Sequence, residues 1–201
     1  MKHTLTLLSC LCLVASCTSN VKRHQLENIG ISISIPADWS RNDIFTNQPQ
    51  IVRSANFENK KHFASCSVGL LPPYSRITSL TDLAAYIKES DYGIKQADHS
   101  PHSGIVDNTL LDAEFIDEMW MSTKDGAPMV RFRSKKSEGR VVILNYDYWI
   151  YSTNGSLQVM CSSLQSPTNE LVQIVEAGHD YANLRDAEKY FDRIARSIKL
   201  E

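Results

Sequence analysis

Apolar residues at every second position are the feature of this 201-residue chain that most limits its fold. From Ile29 to Ile35, isoleucine alternates with glycine or serine until Pro36, which predicts a half-buried strand that ends at the proline. Similar patterns predict strands from Ile51 to Phe57 and from His62 to Leu71. From Leu110 onward the pattern predicts a β-meander with turns at Lys124–Gly126, Ser134–Gly139 and Asn154–Gly155.

Helical signals lie in the middle and at the end of the chain. Ser79 and Asp82 are spaced as in a capping box, in which Ser79 accepts early N–H groups and Asp82 reaches back. The apolar stripe that begins there predicts a helix up to Gly93, and a second stripe predicts a C-terminal helix over residues 187–198. A short helix is expected over Leu171–Ala177. The fold class is therefore α+β, with an antiparallel sheet covered by helices.

Two short segments resemble a known fold family. A strand leads into Ile35-Pro36-Ala37-Asp38-Trp39, and the last helix carries Phe191-Asp-Arg-Ile194-Ala-Arg-Ser-Ile198. Both resemble the PsbP-like fold, including the DcrB-like bacterial lipoproteins. The resemblance covers most of the chain after residue 16. It implies a single domain that acts as a binding or assembly module, and it carries no catalytic motif and no cofactor.

The N-terminus has the pattern of an export signal. Lys2 and His3 precede an apolar run that is about half the roughly 20 residues a membrane-spanning helix needs. The run ends in Val14-Ala15-Ser16-Cys17, which resembles the lipobox of bacterial lipoproteins, where the cysteine carries acyl chains such as palmitate. The resemblance implies a signal peptide over 1–16, a short lipidated linker over 17–25 and a PsbP-like domain over 26–201. Thr18 implies an outer-membrane anchor that faces the periplasm, and an ordinary signal peptide is the alternative.

Two cysteines remain for the folded domain, because Cys10 and Cys12 leave with the signal and Cys17 is the lipidation site. Cys66 and Cys161 each fall on the apolar face of a strand pattern, so both are expected to point inward. A disulfide between them is expected in an oxidising compartment. Two separate buried thiols are the alternative.

Several classes of function lack a signal in this chain. The formal net charge is −2, and basic residues form only short pairs, so nucleic acid is not an expected partner. Asp98, His99 and His102 offer too few ligands for a zinc site, and no metal site is predicted. No GxSxG motif is present and the remaining histidines have no motif around them, so an enzyme is not expected.

An acidic strand is the best candidate for an interaction surface. Asp112, Glu114 and Glu118 are expected to share one face and to repel one another in solvent, beside an exposed Trp120. Asp117 falls on the apolar face, which suggests a bulge or a strand end nearby. These four residues, Asp112, Glu114, Glu118 and Trp120, are the predicted partner-binding surface, and a solvated strand face is the alternative.

The resulting hypothesis is an outer-membrane-anchored periplasmic lipoprotein that binds or assembles envelope proteins without catalysis. Its partners are an envelope protein of unknown identity and the membrane, which it contacts through the N-terminal lipid. The second hypothesis is an immunity lipoprotein that inhibits a toxic enzyme directed at the envelope.

Overall fold

The structure is a computed structural model that describes residues 20–42, 53–73, 75–92, 113–138, 141–152, 154–165 and 186–201. Several predictions lie outside the described residues: the signal peptide over 1–16, Cys17, the helix end at Gly93, the Asp98–His102 segment, Asp112 and the short helix over Leu171–Ala177.

The described residues form ten strands and two α-helices. The strands are β1 (Val21–Leu26), β2 (Ile31–Pro36), β3 (Ser40–Asn42), β4 (Arg53–Asn59), β5 (Ala64–Leu71), β6 (Glu114–Ser122), β7 (Pro128–Glu138), β8 (Val141–Ile150), β9 (Ser156–Gln165) and β10 (Lys199–Leu200). The helices are α1 (Leu80–Tyr92) and α2 (Ala187–Arg196). The predicted antiparallel α+β fold is confirmed.

The strands are arranged in two sheets, and every pair of neighbouring strands among the described residues is antiparallel. A three-stranded sheet has the order β1-β2-β10, and a seven-stranded sheet has the order β3-β4-β5-β9-β8-β7-β6. The meander predicted from the sequence forms β6 to β9, which are four of the seven strands of the larger sheet. Strand β6 is therefore an edge strand among the described strands.

The stretch predicted as a linker over 17–25 forms strand β1 from Val21 onward. Strand β1 pairs with β2 along its whole length, from Val21 opposite Pro36 to Leu26 opposite Ile31. Its side chains are exposed up to Gln25 except for the half-buried His24, and this is why the segment has no apolar alternation. An edge strand is stabilised here by main-chain hydrogen bonds, which a hydrophobicity pattern does not reveal.

Each face of the larger sheet packs against one helix. Helix α2 and strand β2 enclose the main core, which contains Ile33, Phe191 and Ile194. Helix α1 covers the opposite face, where Leu83 and Ile87 pack with Phe132. The amphipathic stripes that predicted the two helices are thus the faces that they bury.

The predicted cap of α1 forms with one change of partner. The N–H of Asp82 donates to Oγ of Ser79 at 3.1 Å, as in a capping box. The Asp82 carboxylate accepts hydrogen bonds from Oγ1 of Thr78 at 2.7 Å and from the Thr78 N–H at 3.0 Å. These hydrogen bonds lower the pKa of Asp82 below its ordinary value of 3.8.

Two of the predicted turns differ from the structure. Strand β7 pairs with β8 up to Glu138, so the hairpin predicted here forms, but Ser134–Glu138 belong to the strand and not to the turn. The predicted turn at Asn154–Gly155 is part of a longer connection between Ile150 and Ser156, in which Gly155 has a positive φ of +137°. The predicted turn at Lys124–Gly126 is present, with Gly126 at φ +89°.

The structure joins Cys66 and Cys161 in a disulfide, the first of the two alternatives. The two residues lie directly opposite each other on β5 and β9, with Cα atoms 4.0 Å apart, and both are fully buried. The bond links two neighbouring strands that lie 95 residues apart in the sequence. It therefore restricts the unfolded chain over about half its length.

We expect Cys66 and Cys161 to react with a thiol reagent in the unfolded protein only after reduction. Reduction should also lower the free energy of unfolding by up to about 4.7 kcal/mol, the value that chain entropy gives for a loop of roughly 100 residues. Peptide mass mapping of the labelled protein and urea titration measure the two effects. Labelling of both residues without reductant would contradict the disulfide.

Gly155 is expected to be intolerant of a side chain, because a Cβ there would lie 2.5 Å from the main-chain oxygen of Leu71. Gly155→Ala should lower the free energy of unfolding by clearly more than about 1 kcal/mol, measured by urea titration. Gly126→Ala is the matched control, because Gly126 also has a positive φ but its Cβ would meet nothing within 4 Å. Equal losses in the two variants would contradict the close contact at Gly155.

Candidate protein-binding edge

A β-bulge in strand β6 decides where its functional side chains point. The register between β6 and β7 shifts between Phe115, which lies opposite Ser134, and Asp117, which lies opposite Arg133. Ile116 is therefore an extra residue in β6. The bulge predicted from the misplaced Asp117 is confirmed.

The bulge divides the predicted acidic face. Glu114 lies opposite Lys135, whereas Glu118 lies opposite Phe132, so the two carboxylates are on different faces of the sheet. The expectation that they share a face and repel in solvent is wrong, because strict alternation was assumed across the extra residue. Each has a cationic partner instead: Lys135 is 3.1 Å from Glu114, and Lys88 is 2.8 Å from Glu118.

On the side of α2, the bulge places Asp117 in an ion-pair network with two arginines of β7. Arg131 is fully buried, and its Nη1 donates to Glu188 at 2.8 Å and to Asp192 at 3.1 Å. Arg133 donates to Asp117 and, at 2.8 Å, to Glu188. Because Glu188 and Asp192 lie one turn apart on α2, the network attaches this helix to the sheet.

Burial and charged neighbours both shift the pKa values of side chains in this network. Burial by itself lowers the pKa of Arg131, but hydrogen bonds and charges from Glu188 and Asp192 outweigh it and raise the pKa. Tyr148 donates a 2.9 Å hydrogen bond to Asp192, and burial followed by this carboxylate raises the tyrosine pKa. A buried arginine needs carboxylate partners, since an unpaired buried charge costs several kcal/mol. The network therefore has a structural role.

On the side of α1, Glu118 and Trp120 lie next to each other, because they are two positions apart in β6. The Trp120 indole Nε1 donates to Oε1 of Glu118 at 2.7 Å, and Oε2 of Glu118 accepts from Nζ of Lys88 at 2.8 Å. Lys88 belongs to α1, so the helix orients the carboxylate and the carboxylate orients the indole. The indole remains 51% exposed, and the prediction of an exposed Trp120 is confirmed.

Three large apolar side chains of β6 are exposed to solvent: Ile116, Met119 and Trp120. They account for most of the exposed large apolar side chains among the described residues; Val21 and Leu200 belong to the other sheet. We call the exposed apolar side chains of β6, with Glu118 and Lys88, the β6 edge. Exposed apolar groups at a strand edge mark a site of association or of aggregation.

Main-chain groups of the β6 edge also point away from the sheet. The N–H of Thr123 donates to the carbonyl of Ala127 at 2.9 Å, which makes this pair a hydrogen-bonded pair of the β6–β7 ladder. Such pairs alternate with pairs that have no mutual hydrogen bonds. The N–H and C=O groups of Glu118, Trp120 and Ser122 therefore point away from β7, to the side of β6 where the described residues place no other strand.

The two carboxylates at the centre of β6, Asp117 and Glu118, are both engaged in ion pairs. Among the described residues, no group of three histidine, cysteine or carboxylate side chains can hold a metal ion. None of the helices in the same part of the chain is long and apolar enough to cross a membrane.

Some residues of the site were not predicted from the sequence. Arg131 and Arg133 follow Met129 and Val130 in a predicted strand, before a run of polar residues. A cation at an inward-facing position of a strand is a usable signal for a buried ion pair. Glu188 and Asp192 lie four residues apart on the predicted last helix, and this spacing was the matching signal for the acidic partners. Lys88 had no such signal, because the sequence alone does not place α1 against β6.

Comparison with known proteins gives a fold and no family. No protein-family model and no curated protein matches the chain. The solution structure of cyanobacterial PsbP (CyanoP) from Synechocystis sp. PCC 6803 has a TM-score of 0.55 and 16% identity, over 93% of this chain and 96% of that one. The crystal structure of the Saccharomyces cerevisiae Ran-binding protein Mog1p has a TM-score of 0.53 and 11% identity, over 91% and 96%.

At these identities the likeness shows the architecture alone. The chain has a PsbP-like and Mog1-like α+β fold in a single domain. The sequence patterns predicted the α+β class, and the resemblance of the two short segments implied the PsbP-like fold.

Proposed function

We propose that the protein is a non-catalytic module of the bacterial envelope that binds a partner protein through the β6 edge. Acyl chains on Cys17 hold it to the inner face of the outer membrane, after cleavage that follows Ser16. The anchoring is supported by the lipobox-like sequence before Cys17 and by the buried disulfide, which is typical of an oxidising compartment.

The observation that carries the binding proposal is the pre-oriented Trp120. Tryptophan is enriched among the residues that dominate binding energy at interfaces. Here Glu118 and Lys88 already restrict the indole, so less side-chain freedom is lost when a partner covers it. A solvated strand face does not need this arrangement.

The main-chain groups of the β6 edge indicate how the partner binds. An extended segment can add a strand beside β6 through the outward groups of Glu118, Trp120 and Ser122. The side chain that lies over Trp120 would then be apolar or basic, because the indole face attracts both.

Pairing of β6 with the same strand of a second copy is disfavoured. Strand β6 carries three carboxylates and no cation within nine residues, so antiparallel self-pairing would place acidic residues near one another. A different protein is therefore the expected occupant.

The absence of catalysis is part of the proposal and is supported by the charge pairing of the site. A carboxylate that acts as a general acid or base exchanges a proton with substrate, and a fixed ion pair disfavours the protonated form that this exchange needs. Glu118 is held by Lys88 and Trp120, and Asp117 by the two arginines of β7.

Trp120→Ala is expected to weaken partner capture by at least about tenfold, because a central tryptophan contributes about 2 kcal/mol or more to an interface. The measurement is affinity purification of the full-length protein from detergent-solubilised envelope, followed by titration of the captured protein against wild type and variant. Val21→Ala is the matched control, since Val21 is exposed to the same fraction, 51%, and lies in the other sheet.

Equal losses with Trp120→Ala and Val21→Ala, or no loss with either, would contradict the role of the β6 edge. Ser122→Pro, which removes an outward N–H, should bind more weakly than Ser122→Ala if the partner adds a strand. A captured toxic enzyme that the module inhibits would identify an immunity role, and a stable complex with other envelope proteins would identify an assembly role.

A further inference from the structure

The ion-pair network on the α2 side of β6 exposes its carboxylates more than its cations. The side chains of Arg131 and Arg133 are 0% and 26% exposed. Those of Asp117 and Glu188, which pair with both arginines, are each 37% exposed. A protein that approaches this side of the strand therefore meets the carboxylates of the network before its guanidinium groups.

The negative charge is concentrated toward the beginning of β6. Glu114 is 68% exposed and its partner Lys135 is 40% exposed, so the carboxylate is again the more exposed group of the pair. Beyond the other end of the strand the exposed side chains include cations. There the N–H of Lys124 donates to the carbonyl of Arg196 at 2.8 Å, and both side chains are exposed. The acidic part of the α2 side thus extends from Glu114 to Asp117.

The α1 side of the same strand carries a balanced pair and an exposed aromatic ring. Lys88 and Glu118 are 2.8 Å apart and almost equally exposed, at 23% and 20%. The Trp120 indole, which donates to Glu118, is the most exposed side chain of this group. A cation beside the indole would be repelled by Lys88, so an apolar side chain is favoured over Trp120.

A strand that adds to β6 would present its side chains to these two sides in alternation. Asp117 and Met119 lie opposite arginines of β7 on the α2 side, whereas Glu118 and Trp120 lie on the α1 side. A residue of the added strand shares the side of the β6 residue opposite it. The position opposite Asp117 therefore meets carboxylates, and the position opposite Trp120 meets the indole.

We propose that the partner binds the β6 edge through an extended segment in which basic and apolar residues alternate. Its basic side chains lie on the side of Asp117 and its apolar side chains on the side of Trp120. The inference rests on the proposed function and names the chemistry of the partner. A shift of the segment by one residue would place its basic side chains against Trp120 and Lys88, so charge also fixes the register.

The experiment titrates three short fluorescent peptides against the full-length protein in a non-ionic detergent. One peptide alternates arginine with valine, the second has the same composition with its arginines in one block, and the third alternates glutamate with valine. We expect the first to bind at least about tenfold more tightly than either of the others, as measured by fluorescence anisotropy. It should also slow amide hydrogen exchange at Glu118, Trp120 and Ser122.

Glu114→Lys is expected to weaken binding of the arginine–valine peptide at least about threefold, because it reverses the most exposed carboxylate of β6 outside the buried network. Glu27→Lys is the matched control, since it makes the same change of charge at an exposed residue between β1 and β2, in the other sheet, and should leave binding unchanged. Salt at about 0.5 M should weaken binding of the same peptide by screening the charges.

Equal affinity for the alternating and the block arginine peptides would overturn the alternation. Equal or tighter binding of the glutamate peptide, or equal losses in Glu114→Lys and Glu27→Lys, would overturn the selection by charge. If the arginine–valine peptide does not bind although capture of the envelope protein depends on Trp120, the chemistry of the partner is wrong and the β6 edge stands. If capture does not depend on Trp120, the proposed function and this inference fail together.

Discussion

The extra residue Ile116 in β6 is the local constraint on which the candidate site depends. Without it, Glu114 would share the face of Glu118, and Phe115 would leave the apolar cluster under α1. With it, Asp117 points toward Arg133 and α2, while Glu118 and Trp120 point toward Lys88 and α1. One inserted residue therefore separates Glu114 from Glu118 and lets Phe115 pack under α1 while Asp117 points to the ion-pair network.

The two faces of β6 have different roles: one supports the structure, and the other carries the proposed binding residues. The network of Arg131 with Glu188 and Asp192 is buried and fixes α2 on the sheet, so its loss would expose the main core. The opposite face and the free edge carry the exposed Trp120. Because β7 holds β6 along its length, the edge is rigid before any partner arrives, which lowers the entropy that binding costs.

The sequence predicted most of the strands and both described helices, because their apolar residues follow the periods of two and 3.6 that burial imposes. It also predicted the bulge, since Asp117 broke the alternation, and the inward orientation of Cys66 and Cys161. It missed β1, whose exposed polar side chains carry no period, and the pairing of Lys88 with Glu118, which depends on packing between distant segments. Because strict alternation was assumed across the bulge, Glu114 was predicted on the same face as Glu118, which is wrong.

The most direct test of the binding edge is residue-resolved amide hydrogen exchange of the free protein along β6. The register predicts an alternating pattern, in which the amides of Asp117, Met119 and Met121 are protected by β7. The amides of Glu118, Trp120 and Ser122 should exchange at least about tenfold faster, because they point to solvent. Uniform protection from 117 to 122, or the opposite alternation, would show that the edge is already covered or turned inward, and would contradict the account.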